Sequence, residues 1–165
     1  MRIIYDILEG EMLCGDIITE VSEVTDGYHW SYEYSSDKYY KHIEARLDLS
    51  YEILYLRYDM TIGGEKITSE IERLEENVYF INKKTVHISK KITVFEMFFL
   101  LGYKNVFTNA ILYNPIKDEF LAINIKGKGC KYTVLYPSLC YIVLENDRLL
   151  SCSMPREEMK VSVQR

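Results

Sequence analysis

The sequence predicts a mainly β protein: one large curved antiparallel sheet, a half-open β-barrel of about ten strands, with a short apolar helix packed in its concave face. Three observations carry that expectation. Apolar and polar residues alternate over most of the 165 residues, as they do when successive side chains leave a strand on opposite sides. Turn-forming residues recur at intervals of about eight to twelve, the rhythm of an antiparallel meander. One segment, from Thr93 to Gly102, breaks the alternation and reads as helix.

The first block of strands opens with Ile3 to Leu8 and a long strand from about Leu13 to Val24. Next, Tyr28, Trp30, Tyr32 and Tyr34 alternate with His29, Ser31, Glu33 and Ser35, giving a strand with one aromatic face. Ile43, Ala45, Leu47 and Leu49 alternate with His42, Glu44, Arg46 and Asp48, and Tyr51 to Met60 continues as strand. Gly63-Gly64 supplies a turn in which positive φ costs little. Glu65 to Leu74, Asn77 to Lys83 and Thr85 to Lys90 read as three more strands, on their β-branched content.

Thr93 and Glu96 have the spacing of a capping box, and Val94, Phe95, Met97, Phe98, Phe99, Leu100 and Leu101 run to a stop at Gly102. A helix apolar nearly all round has no face for water, so it is expected to be enclosed. Val106 to Asn114 reads as a second short helix before Pro115. A second strand block follows: Glu119 to Lys126, Cys130 to Tyr136, Leu139 to Glu145, Leu149 to Met154 and Lys160 to Gln164. No linker divides the chain, so residues 1–165 are read as a single domain.

Composition excludes several classes. With 48% apolar residues, 3 Pro and 8 Gly, the chain is neither disordered nor collagen-like. No apolar run approaches the ~20 residues of a membrane-spanning helix. A net charge of −5 argues against a nucleic-acid partner, because phosphate binding relies on a basic surface. Asp6 and Glu9 interrupt the first apolar stretch, so it does not read as a secretory signal, and a cytoplasmic location is expected. Cys14, Cys130, Cys140 and Cys152 are far apart with no Cys-x-x-Cys pair, which argues against a zinc site and for small buried apolar side chains. No metal or cofactor is expected. His29, His42 and His87 do not cluster, and the chain has no nucleophile elbow, zinc-protease motif or phosphate loop.

The candidate ligand-binding residues are therefore aromatic: Tyr28, Trp30, Tyr32 and Tyr34 on one strand face, and Phe95, Phe98 and Phe99 on the helix. A wide curved sheet cannot fill its concave face and leaves an apolar cavity. Rings with polar tips suit a molecule with an acyl part and a polar head. Such stripes are more often core than site, and the core reading stands beside the functional one.

The opening Tyr5-Asp6-Ile7-Leu8-Glu9-Gly10-Glu11 followed by Gly15, the two strand blocks divided by a helical segment, and the closing hairpin from Tyr141 to Leu150 before Pro155 form a recognisable layout. It resembles bacterial half-barrel lipid-binding proteins, of the lipoprotein-carrier and glycolipid-binding types. Carriers of that type have a signal sequence, so the resemblance implies an intracellular binder of an amphipathic molecule, or an enzyme-like relative that has kept the cavity, rather than a periplasmic shuttle. Three functions stand side by side. The first is a non-catalytic binding protein for a hydrophobic or amphipathic ligand. The second is an interaction protein associating through its sheet surface or edge, a homodimer included. The third is an enzyme acting on a hydrophobic small molecule in a barrel cavity, with no catalytic residue assigned.

Overall fold

The computed structural model describes residues 1–100, 109–136, 139–145, 148–155 and 158–164. Alternation becomes strand almost wherever the sequence shows it. The first block is β1 (Arg2–Glu9), β2 (Met12–Val24), β3 (Gly27–Ser36), β4 (Tyr39–Leu47), β5 (Ile53–Ile62), β6 (Glu65–Glu75), β7 (Val78–Ile81) and β8 (Lys84–His87). β9 (Lys91–Thr93), a 3-10 helix (Phe95–Leu100), β10 (Ala110–Asn114) and β11 (Glu119–Leu121) make up the insert. The second block is β12 (Asn124–Lys128), β13 (Lys131–Tyr136), β14 (Cys140–Glu145), β15 (Arg148–Met154) and β16 (Met159–Val163).

Thirteen strands form one antiparallel sheet in the order β12-β13-β14-β15-β16-β1-β2-β3-β4-β5-β6-β7-β8. Each block is a meander, and the two are joined where β16 pairs with β1, at Tyr5–Val163 and Ile7–Val161. The strands at the two ends of the chain thus sit inside the sheet, and its edges are β8 and β12. Both edges are short and carry lysine, which discourages pairing with another chain.

Register places the inward-facing residues in line across the sheet. One row runs Tyr5, Ile17, Tyr34, Lys41, Met60, Ile67, and a second runs Val21, Trp30, Ala45, Leu56, Ile71, Ile81. Every member of the second row is buried. Small Ala45 lies opposite Trp30, which makes room for the indole, and the Trp30 Nε1–H donates to Thr19 Oγ1 at 2.9 Å. The opposite face of β2 to β6 carries Glu20, Glu44, Arg57, Asp59 and Glu70, joined in ion pairs along and across strands. Between β5 and β6, Gly63 and Gly64 take φ of +56° and +86°, the two-residue hairpin turn the sequence predicts.

The insert departs from expectation in four places. The helix is a 3-10 turn of six residues, closed by an i→i+3 bond from Met97 N–H to Val94 C=O at 3.1 Å. Its capping box is not made: the Thr93 hydroxyl donates to Val94 O, while the Glu96 carboxylate leaves the helix for Lys41. A carboxylate turned back on its own helix would strand a buried ammonium, at a cost of several kcal/mol, roughly 3–5. Ala110–Asn114, expected within a helix, is strand β10, parallel to β9 and antiparallel to β11 in a separate three-stranded sheet. Residues 106–108 of that expected helix, and 101–102 at the end of the first, lie outside the described residues. The stretch from Glu119 to Lys126, expected as one strand, is divided between the two sheets as β11 and β12. No helix among the described residues is long and apolar enough to cross a membrane.

Two stability changes follow. Trp30→Ala leaves a large cavity in the middle of the sheet and removes the hydrogen bond to Thr19, whose hydroxyl keeps Ser31 O as its acceptor, and is expected to lower the unfolding free energy by about 3–5 kcal/mol in a denaturant titration. Asp48 accepts hydrogen bonds from Ser50 and Glu52 in the turn after β4 and faces Arg73 at 3.0 Å. Burial tends to raise its pKa, but those hydrogen bonds and Arg73 hold it below the usual carboxylate value of 3.8. A depressed carboxylate stabilises the fold above its unfolded pKa and loses that contribution as pH falls through the folded value. Acid titration of Asp48→Asn should therefore show a shallower loss of stability below about pH 4 than the wild type.

Candidate functional site

Lys41 is out of place by residue type and in place by register. On β4 it shares the inward phase of Ile43, Ala45 and Leu47, between Tyr34 on β3 and Met60 on β5. An ammonium brought inside the sheet needs an opposite charge, and the 3-10 helix supplies one: Lys41 Nζ lies 2.5 Å from Glu96 Oε1. The two side chains are only 13% and 6% exposed. Around them, the ring centroids of Tyr58, Tyr34 and Tyr39 stand 5.7, 5.9 and 6.0 Å from the ammonium, at the outer reach of cation–π attraction.

Burial by itself lowers the pKa of Lys41. The charge and hydrogen bond of Glu96, together with Tyr58, outweigh it and hold the ammonium above the usual lysine value. Tyr58 is pushed up from its ordinary value, mainly by burial and then by the Glu96 charge. Lys41 therefore stays protonated and Tyr58 neutral at ordinary pH.

The pair forms the floor of a cleft of about 450 Å³. Phe95, Leu112, Ile116 and Leu121 supply apolar wall, and Tyr113, Asn114, Lys117 and Glu119 supply polar groups. The β10–β11 hairpin that makes one wall is fastened to the main sheet through Tyr113 and through Asp118, which accepts from Asn82 Nδ2 at 3.1 Å and from Lys84 Nζ at 3.4 Å. Tyr113 Oη donates to Asp118 Oδ1 at 2.7 Å, accepts from Asn82 Nδ2 at 2.8 Å, and meets Ser69 Oγ at 3.2 Å. Asn82 takes a φ of +45°, which Asn tolerates better than most residues, and its Oδ1 accepts from the Ser69 hydroxyl and the Glu70 N–H. Burial pushes the Tyr113 phenol up to about 12. A larger cleft, of about 730 Å³, lies beside Arg2, Arg148 and Gln164, but none of its charged residues is buried.

The aromatic residues expected to bind ligand pack in pairs, and Tyr32 with Phe99 joins the sheet to the helix. Tyr32 meets Phe99 at 5.2 Å, Phe95 meets Phe98 at 4.9 Å, Tyr34 stacks on Tyr39 at 4.6 Å, and Tyr28 stacks on Tyr51 at 4.4 Å. Trp30, Tyr32, Tyr34 and Phe98 are buried. Of the seven, Phe95 is the one that lines the 450 Å³ cleft. Lys41 and Glu96, which dominate that cleft, are absent from the expected set. Lys41 carried a signal, being charged at an inward phase, and so did Glu96, the only charge in an otherwise apolar helix.

Elsewhere, His29 and His42 meet on the outer face, where Glu44 bridges them at 2.7 and 3.3 Å, a cluster formed across β3 and β4. Among the described residues no group of His, Cys, Asp and Glu is placed to hold a metal ion. Cys140 and Cys152 are buried, as expected, whereas Cys130 is exposed and Cys14 partly so. Comparison with protein-family models, curated proteins and solved structures finds no match to the chain.

The ion pair makes a sharp prediction. Lys41→Met or Glu96→Gln alone leaves a buried charge without its partner and should cost about 3–5 kcal/mol in chemical denaturation. Joint replacement by Lys41→Met and Glu96→Leu should recover most of that loss, because no charge is then left in the core.

Proposed function

We propose that this protein is a non-catalytic binding protein for an amphipathic small molecule, lipid-like or glycolipid-like, held between the main sheet and the helix–hairpin insert. The large sheet is then a half-open barrel and the 3-10 helix a plug in its concave face. The observation that carries the reading is the cleft itself: an apolar wall of Phe95, Leu112, Ile116 and Leu121 above a buried Lys41–Glu96 pair. The lining mixes apolar and polar groups, as an amphipathic molecule requires, and the volume falls within the common range for small-molecule sites of about 300–1,000 Å³.

The tail of such a ligand lies along Phe95 and the hairpin, and its head meets Lys41, Glu96 and the polar groups at the rim. Trp30, Tyr32 and Phe98 then serve as the floor that carries the helix, not as direct contacts. The protonation states favour binding over catalysis, since a lysine held protonated is not a nucleophile and a neutral buried tyrosine is not a base. A cytoplasmic location belongs to the same reading. Association through a sheet edge is less favoured, because both edges are short and lysine-bearing.

Native mass spectrometry of the recombinant protein, with and without incubation with fatty acids and glycolipids, tests the proposal. A stoichiometric added mass that disappears on denaturation is expected. It should be lost or much reduced in the Lys41→Met, Glu96→Leu double variant, whose fold the preceding measurement checks. No uptake of any of these compounds by the wild type would overturn the reading.

A further inference from the structure

Two cysteines on neighbouring strands have their sulfurs nearly in contact. Cys140 begins β14 and Cys152 lies within β15, and both face the buried side of the sheet with Ile142 and Val161. Their Sγ atoms are 2.8 Å apart, and no disulfide joins them. We propose that Cys140 and Cys152 are a redox couple that closes to an inter-strand disulfide.

The geometry can be read from the ladder. Cys152 is directly opposite Ile142, so Cys140 is its diagonal neighbour, two residues along β14. In a flat antiparallel pair the diagonal Cα atoms are about 7–8 Å apart, at the limit of what a disulfide spans. This pair is not flat: the register shifts between Val143 and Leu144, one residue beyond Ile142. A bulge of that kind increases the local twist, and twist shortens one of the two diagonals. The sulfurs therefore need to approach by only about 0.8 Å to reach the bonded length of about 2.05 Å.

The oxidant required is a low-molecular-weight disulfide, RSSR. One cysteine thiolate attacks a sulfur of RSSR and releases RS⁻, leaving a mixed disulfide. The second thiolate attacks the protein sulfur of that bond and releases the other RS⁻. The protein gives up two electrons and two protons, RSSR takes the electrons, and the two thiols RSH carry the protons. The hydrogen bond to Cys140 and burial both raise the Cys152 thiol above its ordinary pKa. Exchange in the folded protein is consequently slow, and it quickens with rising pH or when β14 and β15 separate locally. The bond joins β14 to β15, a strand that the 3-10 helix contacts, and so it stiffens that part of the sheet.

Cys14 and Cys130 provide internal controls. The full-length protein would be unfolded and refolded in a glutathione buffer, and in parallel incubated folded with oxidised glutathione from neutral pH to about pH 9. Remaining thiols would then be alkylated under denaturing conditions and the digest mapped. The expected product is two hydrogens lighter before alkylation, carries alkyl groups on Cys14 and Cys130, and contains a peptide linking Cys140 to Cys152 that dithiothreitol separates. Cys140→Ser and Cys152→Ser should each abolish that peptide, and the oxidised wild type should unfold at a higher temperature than the reduced form. Four alkylated cysteines after refolding in the oxidising buffer, or a link involving Cys14 or Cys130 instead, would overturn the proposal.

Discussion

A thirteen-stranded sheet with one continuous apolar face must hide that face from water, and the rest of the fold answers that requirement. Rows such as Val21, Trp30, Ala45, Leu56, Ile71 and Ile81 cross six strands without a polar interruption. Side chains on neighbouring strands fill part of the layer above the backbone, with Trp30 over Ala45 as the tightest example. The remainder is covered by the insert between the two strand blocks. Met97, Phe98 and Leu100 are buried there, and Phe99 touches Tyr5 and Tyr32, from β1 and β3. One short helical turn thus meets residues from strands that are distant in the chain, which is why its aromatic content is so high.

The insert does not simply cover; it also brings in a charge. Glu96 reaches Lys41 in a setting where neither would be tolerated alone. A buried ion pair is weak evidence of stability, since apolar replacements of similar size often serve as well. Its worth here is positional. The pair gives the helix one orientation over the sheet, because a rotation of the turn would withdraw the carboxylate and leave Lys41 unpaired. It also supplies a buried charged spot in a cleft lined by apolar and polar residues together. The Tyr113 latch does similar work at the other side, fastening the β10–β11 hairpin to the turn after β7 through Asn82. Cleft and insert are therefore one construction, held at several polar points, Lys91–Glu52 and Lys84–Asp118 among them.

Much of this was legible in residue order. The aromatic face of Tyr28 to Tyr34, the Gly63-Gly64 turn and the division into two strand blocks around an apolar helix all follow from alternation and turn chemistry, which act over a few residues. The errors cluster in the insert for one reason. Glu96 sits at capping-box spacing from Thr93, but its nearest strong partner is Lys41, 55 positions away. Ala110 to Asn114 has an ambiguous pattern, and pairing with β9 and β11 decides it in favour of strand. The aromatic candidates for ligand contact were identified by type, yet burial beneath the helix removes Trp30, Tyr32, Tyr34 and Phe98 from the cleft wall. His29 and His42 likewise meet at Glu44 only across strands.

By itself the sequence determined that the chain is mainly β, where most strands begin and end, and which side of each strand faces inward. Those properties depend on backbone sterics and on the period of side-chain polarity, both local. Only the tertiary structure decided that β16 pairs with β1, so that the chain ends lie inside the sheet, and that Lys41 and Glu96 are partners. It alone brought the sulfurs of Cys140 and Cys152 together. The physical reason is the same in each case: a meander and a reordered sheet show identical alternation, and a pairing between distant residues is set by which surfaces must be buried together, which no local pattern encodes.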